Sequence, residues 1–74
     1  MLIKITTGPI TDPKANTVVN DEITLADLAR EHNYTGVIMI DGAPISDNDK
    51  NKSLKELGVT EGAMVVYSRK NGGN

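Results

Sequence analysis

Few side chains of this 74-residue chain could perform chemistry by themselves. The chain has no cysteine, which excludes a thiol nucleophile and thiolate metal ligands. His32 is the only histidine, and one imidazole forms neither a triad nor a metal site; its place near the end of a predicted helix favours a capping role. Asp47-Asn48-Asp49 is similar to the start of a calcium loop but lacks the glycine and the bidentate glutamate at the required spacing. We therefore expect a chain that is not an enzyme and that holds no metal and no cofactor.

The C-terminal end is the second place where residue type and spacing suggest chemistry. Two basic residues, Arg69 and Lys70, precede Gly72-Gly73-Asn74. Glycine has no side chain and adopts almost any φ/ψ, so a diglycine can pass through a slot that a Cβ would block. Two alternatives stay open: a frayed end without a role, and the type I′ hairpin signal of Asn71-Gly72, after which no strand follows.

Composition and charge exclude several classes of protein. Ten acidic against eight basic residues and an isoelectric point near 5.1 give no electrostatic footprint for nucleic acid. Apolar runs such as residues 37–40 are far shorter than the roughly 20 residues that span a bilayer. The first residues lack the basic and apolar regions of a signal peptide. We expect a cytoplasmic protein without a membrane partner, made of one domain over residues 1–69 and a flexible tail over residues 70–74.

The hydrophobic pattern predicts the elements that must position these residues. Residues 1–7 alternate and predict a strand that Gly8-Pro9 ends, followed by a polar loop and a short strand over 17–20. Thr24 is a predicted N-cap, with Asp27 three residues later, for a helix within residues 21–33. The remaining predictions are a strand over 37–41, a turn over 41–44, a polar loop over 46–52, one helical turn over 53–58 and a strand over 63–69.

This order of elements predicts an α+β architecture. It consists of a mixed four- to five-stranded sheet with one helix packed across it, in the order ββαβ, helical turn, β. The first and last strands are the most apolar and are expected at the centre of the sheet. The expected core includes Met1, Ile3, Ile5, Val19, Leu25, Leu28, Ile38, Ile40, Ile45, Leu54, Leu57, Val59, Val65 and Tyr67.

Three segments in this order resemble ubiquitin and its β-grasp relatives, over nearly the whole chain. Ile38-Met39-Ile40-Asp41-Gly42 resembles the family's third strand and glycine turn, and residues 53–59 resemble the segment before its last strand. Residues 63–69, followed by Gly72-Gly73, resemble the last strand and diglycine tail. The resemblance implies the β-grasp fold and, more distantly, a relation to the sulfur carriers of thiamin and molybdopterin synthesis.

The resemblance also implies a function as a protein modifier. A processing peptidase would remove Asn74, an ATP-dependent adenylating enzyme would activate Gly73, and a conjugating enzyme would join it to a target protein through an isopeptide bond. Arg69 and Lys70 would take part in recognition of the tail, and ATP would be used by the partner enzyme. We expect a bacterial ubiquitination-like pathway, on the sole ground of the divergence from ubiquitin.

The same resemblance implies an apolar surface that binds partners. If Ile38 and Ile40 point inward, the residues between and beside them face out, and contiguous exposed apolar groups usually form an interface. The implied partner-binding patch consists of Val37, Met39, Ala43, Met64 and Val66. The alternative is that Met39 and Val66 are covered by the chain's own loops.

Two departures from the family pattern leave other functions open. Asn74 follows the diglycine, so a sulfur carrier, whose tail would end in a Gly-Gly thiocarboxylate, also requires trimming. Ala43 and Glu61 occupy positions that resemble the family's best-known chain-linkage lysines, so polymers of the ubiquitin type are not expected. A non-covalent β-grasp adaptor or subunit is the third alternative.

Overall fold

An α+β arrangement of five strands and one α-helix is seen in a computed structural model of the protein, which describes residues 1–34 and 36–68. The strands are β1 (Leu2–Pro9), β2 (Lys14–Asn20), β3 (Val37–Ile40), β4 (Ala43–Pro44) and β5 (Met64–Ser68). The helix α1 (Leu25–Glu31) follows β2, and a 3-10 helix (Asp47–Asn51) follows β4. No helix of the described ranges is long and apolar enough to cross a membrane.

The strands form one mixed sheet in the order β2-β1-β5-β3-β4. β1 and β5 are parallel, and every other neighbouring pair is antiparallel. The first and last strands therefore lie side by side inside the sheet, as their apolar character predicts. This arrangement brings the second half of the first strand into direct backbone contact with the last strand.

β1 is longer than its sequence pattern predicts. Gly8-Pro9 does not end the strand: Gly8 is the register partner of Val66, and Pro9 is the partner of Tyr67. Proline is tolerated because the carbonyl of Tyr67 accepts its hydrogen bond from the next residue, Ile10, at 2.9 Å. Gly8 has φ +132°, a conformation that side chains rarely adopt. The glycine thus shapes the strand end instead of breaking it, and β2 begins at Lys14, before the predicted residue 17.

α1 begins where the sequence predicts and is shorter than expected. The Oγ1 of its N-cap, Thr24, accepts a hydrogen bond from the Asp27 N–H at 3.1 Å. His32 is the C-cap, which confirms its capping role. Asn33 follows at φ +57°, and the Tyr34 N–H donates to the Ala29 carbonyl at 2.8 Å. This left-handed residue and the backward hydrogen bond form a Schellman ending, so the helix has only seven residues.

A tight hairpin joins β3 to β4, where the sequence analysis predicts a turn alone. Asp41 and Gly42 both have positive φ, +51° and +88°, and Ile40 pairs with Ala43 across them. This is the geometry of a type I′ turn, for which Asp-Gly is a preferred pair. The dipeptide therefore signals a hairpin, and β4 is the fifth strand of a sheet predicted to have four to five.

The segment between β4 and β5 contains two short helical turns. Residues 46–52, predicted as a polar loop, include the 3-10 helix. The turn predicted at Ser53 is confirmed: the Glu56 N–H donates to Ser53 Oγ at 3.1 Å, and the Ser53 N–H donates to Glu56 Oε1 at 2.9 Å. These reciprocal bonds form a capping box, and the hydrogen bonds from Ser53 lower the pKa of Glu56. Gly58, at φ +84°, ends the turn.

The hydrophobic core lies between the sheet and the connecting elements. Leu25 and Leu28 of α1, together with Leu54, pack with the inward side chains of β1, β3 and β5. Met1 is not part of this core: it is 80% exposed, and its ammonium group lies 3.1 Å from the carboxylate of the buried Asp21. Ala63 is buried in the core although the sequence analysis leaves it out.

Candidate functional site

The sheet has one face covered by the core and one face directed away from it, here called the outer face. Alternation along β1 places Ile3, Ile5 and Thr7 in the buried interior and leaves Leu2 and Lys4 exposed. Because paired residues of neighbouring strands share a face, the register assigns residues of the other strands to the same side. The outer face is where the sequence analysis expects a partner to bind.

Four predicted residues form a contiguous group on the outer face, here called the outer patch: Val37, Met39, Met64 and Val66. Met39 lies directly opposite Val66 in the antiparallel β3–β5 register. Val37 lies two residues before Met39, and Met64 lies two residues before Val66, so these two residues are at opposite ends of the group. Val37 is 52% exposed and Met64 is 44% exposed. The residue alternation expected for β3 and β5 therefore brings these four side chains together.

Val66 is not the exposed residue that the patch prediction requires. It is only 3% exposed, yet it lies outside the main core cluster. Val66 occupies the middle of the sheet, between Gly8 of β1 and Met39 of β3, and Met39 is itself half-buried. The outer patch thus combines a covered centre, Val66 and Met39, with an exposed rim, Val37 and Met64. The predicted exposed patch therefore describes the rim, and the alternative in which Met39 and Val66 are covered describes the centre.

Ala43 does not belong to the outer patch. It pairs with Ile40, whose side chain points into the core, and paired residues share a face. Pro44 instead lies opposite Met39. The tight hairpin causes this difference, because a two-residue turn fixes the register of the strand after it. Pro44 therefore takes the position beside Met39 for which the sequence analysis names Ala43.

Asp41 holds Met64 at the edge of the outer patch. The Met64 N–H donates to Asp41 Oδ1 at 3.0 Å, and the Asp41 N–H donates to the Met64 carbonyl at 2.8 Å. These two bonds join the hairpin turn to the first residue of β5. Both backbone polar groups of Met64 are thus hydrogen-bonded to Asp41, while its thioether side chain remains adaptable.

A second exposed apolar group on the outer face escapes the sequence analysis. Leu2 is 68% exposed and Val18 is 55% exposed, and they lie diagonally across the β1–β2 register. Lys4 and Thr6 lie between this pair and Met64 along the outer face. Alternation in β1 could have predicted that Leu2 is exposed on the outer face. The position of Val18 beside it depends on the β1–β2 register, which the sequence does not fix.

The predicted tail residues lie outside the described part of the chain. These are Arg69, Lys70, Gly72, Gly73 and Asn74. The last described strand, β5, ends at Ser68. Ser68 is the register partner of Val37, so the outer patch reaches the residue after which the tail begins.

The other polar residues considered for chemistry have structural partners. Asp47 lies 3.0 Å from Lys50 Nζ, and Asp49 lies 3.2 Å from Lys52 Nζ, as i,i+3 pairs. These pairs stabilise the 3-10 helix locally, each by a small amount. Within residues 1–34 and 36–68, no three His, Cys, Asp or Glu side chains lie close enough to hold a metal ion.

Comparison of the chain with protein-family models, with curated proteins and with solved structures finds no match.

Proposed function

We propose that the protein is a ubiquitin-like modifier of the β-grasp class, whose C-terminal diglycine is activated and joined to a target. The observation that carries the proposal is the sheet order β2-β1-β5-β3-β4, with parallel first and last strands and α1 across one face. This is the arrangement that the resemblance to β-grasp proteins implies. It supports a stable body from which the last strand leads directly into the diglycine segment.

The distance along the chain suits delivery of a carboxyl end to another protein. Gly73 lies five positions after Ser68, the end of β5. Five residues can extend at most about 18 Å. A partner enzyme could therefore hold the folded body while Gly73 enters its active site. Neither glycine would place a Cβ in a narrow entrance.

The proposed chemistry is carried out by partner enzymes on this chain as substrate. A peptidase hydrolyses the Gly73–Asn74 bond with one water, releasing asparagine and exposing the Gly73 carboxylate. An activating enzyme joins that carboxylate to AMP from ATP and releases pyrophosphate. A conjugating enzyme then catalyses attack of a target amine on the Gly73 carbonyl; the amine loses a proton, AMP departs, and an isopeptide bond forms. A bacterial ubiquitination-like pathway is part of this proposal.

The outer patch supplies the second element of the proposal, a docking surface for those enzymes. Val37 and Met64 remain exposed on a rigid sheet, and a small soluble domain gains nothing for its own fold from such exposure. The patch ends beside Ser68, so a partner that covers it lies next to the start of the tail. Recognition of the body and access to the carboxyl end would then take place at one side of the molecule.

The intact mass of the chain recovered from its native cells tests this proposal. We expect the parent chain to lose the mass of Asn74 and to appear in larger covalent adducts. Gly73→Ala should abolish the adducts, whereas Asn71→Ala, a matched change two residues before Gly73, should leave them in place. Recovery of the full-length mass alone, without adducts in any growth condition, would contradict the proposal.

The same measurement separates the two other functions. A sulfur carrier would show a terminal thiocarboxylate in place of an adduct. A non-covalent adaptor would retain Asn74, and deletion of residues 72–74 would leave its partner binding unchanged. Loss of partner binding on Met64→Asp with retention after that deletion would favour the adaptor.

A further inference from the structure

A cleft at the C-terminal end of β1 is lined by residues that do not belong to the outer patch. It has a volume of about 350 Å³ and lies among the end of β1, the start of β2, the segment after α1 and Tyr67 of β5. The side chains that matter most in it are Thr7, Lys14, His32, Tyr34 and Tyr67. A cleft of this size accommodates a small organic molecule.

Stacked aromatic rings form one wall of the cleft. The Tyr34 and Tyr67 ring centroids are 4.7 Å apart at an interplanar angle of 27°, and His32 lies 5.8 Å from Tyr34. They are the only two tyrosines in a chain without tryptophan or phenylalanine, so all its six-membered aromatic rings are at this site. A wall of this kind favours a planar, apolar ligand group, which can stack on or meet the edge of the rings.

Two buried hydroxyl groups at the cleft lack hydrogen-bond partners within the described ranges 1–34 and 36–68: Thr7 Oγ1 and Tyr34 Oη. Thr7 is only 4% exposed. Burial, together with the neighbouring Tyr67, raises the pKa of Tyr34 to about 12, so its hydroxyl keeps its proton at neutral pH and can donate. Because buried polar groups are almost always paired, two unpaired hydroxyls beside one cleft indicate a missing acceptor.

The charge around the cleft indicates what that acceptor is. Lys14 and His32 line it, and none of its lining residues is acidic. Asp12 is the nearest opposing charge, 3.9 Å from Lys14 Nζ, but both side chains are more than three-quarters exposed and such a pair is weak. The site therefore offers hydroxyl donors and a cation, the complement of an anionic, acceptor-rich group.

We propose that this cleft binds a small aromatic carboxylate, with the ring against Tyr34 and Tyr67 and the carboxylate accepting from the Thr7 and Tyr34 hydroxyls beside Lys14. This site uses none of the residues of the outer patch and goes beyond the proposed function. It gives the domain a means to recognise a metabolite or an acidic aromatic end group by chemistry located away from the outer patch.

Titration of the ¹⁵N-labelled full chain with phenylacetate, followed by amide NMR shifts at constant salt, tests the proposal. We expect saturable shifts at Thr7, Gly8 and Tyr34 and none at Val37 or Met64. Phenylacetamide, which keeps the ring but lacks the charge, should bind at least tenfold more weakly. Absence of saturable shifts with phenylacetate would show that the cleft is filled by water alone and would overturn the proposal.

Two substitutions that remove one hydroxyl each make the test specific. Thr7→Val and Tyr34→Phe should each weaken phenylacetate binding about tenfold, as expected for a hydrogen bond to a charged group. Neither should lower the melting temperature, because neither hydroxyl has a partner among residues 1–34 and 36–68. Thr60→Val, at an exposed threonine outside the cleft, is the matched control and should bind as the parent does. Binding that is unchanged in both hydroxyl variants would contradict the assignment.

Discussion

The two faces of the central sheet place similar side chains in opposite environments. On the inner face, Ile5 and Val65 are 1% and 0% exposed and pack with α1 and Leu54. On the outer face, Val37 and Met64 of neighbouring strands are about half exposed. The difference follows from which side receives the helix. It implies that the inner face stabilises the fold, whereas Val37 and Met64 on the outer face remain exposed.

Shortening a core side chain should give the largest effect and define one end of this comparison. Leu54→Ala should destabilise the protein by about 3 kcal/mol, because it leaves a cavity at a fully buried position. A domain of this size is stable by only about 3–5 kcal/mol, so a large unfolded fraction is expected. Urea denaturation followed by circular dichroism measures the change. A loss below about 1 kcal/mol would contradict the placement of Leu54 in the core.

The adjacent valines of β5 provide the most closely matched test of the two faces. Val65 points into the core cluster, while Val66 is buried on the outer face. Val65→Ala should cost about 2 kcal/mol, and Val66→Ala about 1 kcal/mol, because fewer neighbours surround the second site. The same denaturation experiment compares them. Equal losses would show that the outer patch has a core of its own.

The capping box of the turn at Ser53 should have a smaller and pH-dependent effect. Ser53→Ala should cost about 1 kcal/mol by removing the cap of the Glu56 N–H. Because the folded state lowers the pKa of Glu56, its contribution is present above about pH 4.3 and is lost as the pH falls through the lower folded-state value. Glu56→Gln should therefore reduce the fall in melting temperature between pH 5 and pH 2, whereas the exposed Glu31→Gln serves as the control.

The burial of Tyr34 at the cleft should make the stability of the protein fall at alkaline pH. Its folded-state pKa is raised to about 12, while an unfolded tyrosine ionises near pH 10. The stabilising contribution is therefore present below about pH 10 and is lost as the pH rises towards 12. Tyr34→Phe should lose less stability than the parent over this interval. Ultraviolet absorption at 295 nm, compared between the two proteins, would contradict the account if Tyr34 ionised with an ordinary pKa.

Substitution on the exposed rim of the outer patch should have the smallest effect on stability. Met64→Ser should change the free energy of unfolding by no more than about 0.5 kcal/mol, since the side chain is half exposed. The same substitution should weaken partner binding, measured by capture of the covalent adducts described above. Thr60→Ser is a matched exposed control. A stability loss comparable to that of Leu54→Ala would contradict the division of roles between the faces.

Much of the fold follows from short-range patterns. The remaining parts of the fold depend on pairing between residues that are distant in the sequence. Alternation identifies the buried residues of β1, and Thr24 sets the start of α1 through its own side chain. Gly8-Pro9 reads as a break when taken alone, but becomes part of β1 because β5 supplies backbone partners 58 positions away. Pairing of this kind has no local signature.

The candidate site shows the same limit. The geometry of a strand places Val37 and Met39 on one face of β3, but the all-apolar sequence of β3 does not say which face is outward, and the burial of Val66 requires β1 on one side and β3 on the other. The displacement of Ala43 by Pro44 depends on the positive φ of Asp41, which fixes the hairpin register. The cleft hydroxyls of Thr7 and Tyr34 come from residues 27 positions apart and could not have been associated from the sequence.

Peptide mapping of adducts formed by the chain in its native cells tests the central claim most directly. After proteolysis, the account predicts target peptides in which a lysine amine is joined by an isopeptide bond to the carbonyl of Gly73, with Asn74 absent. Every C-terminal peptide still ending in Gly73-Asn74, together with full biological activity of a chain lacking residues 72–74, would contradict it.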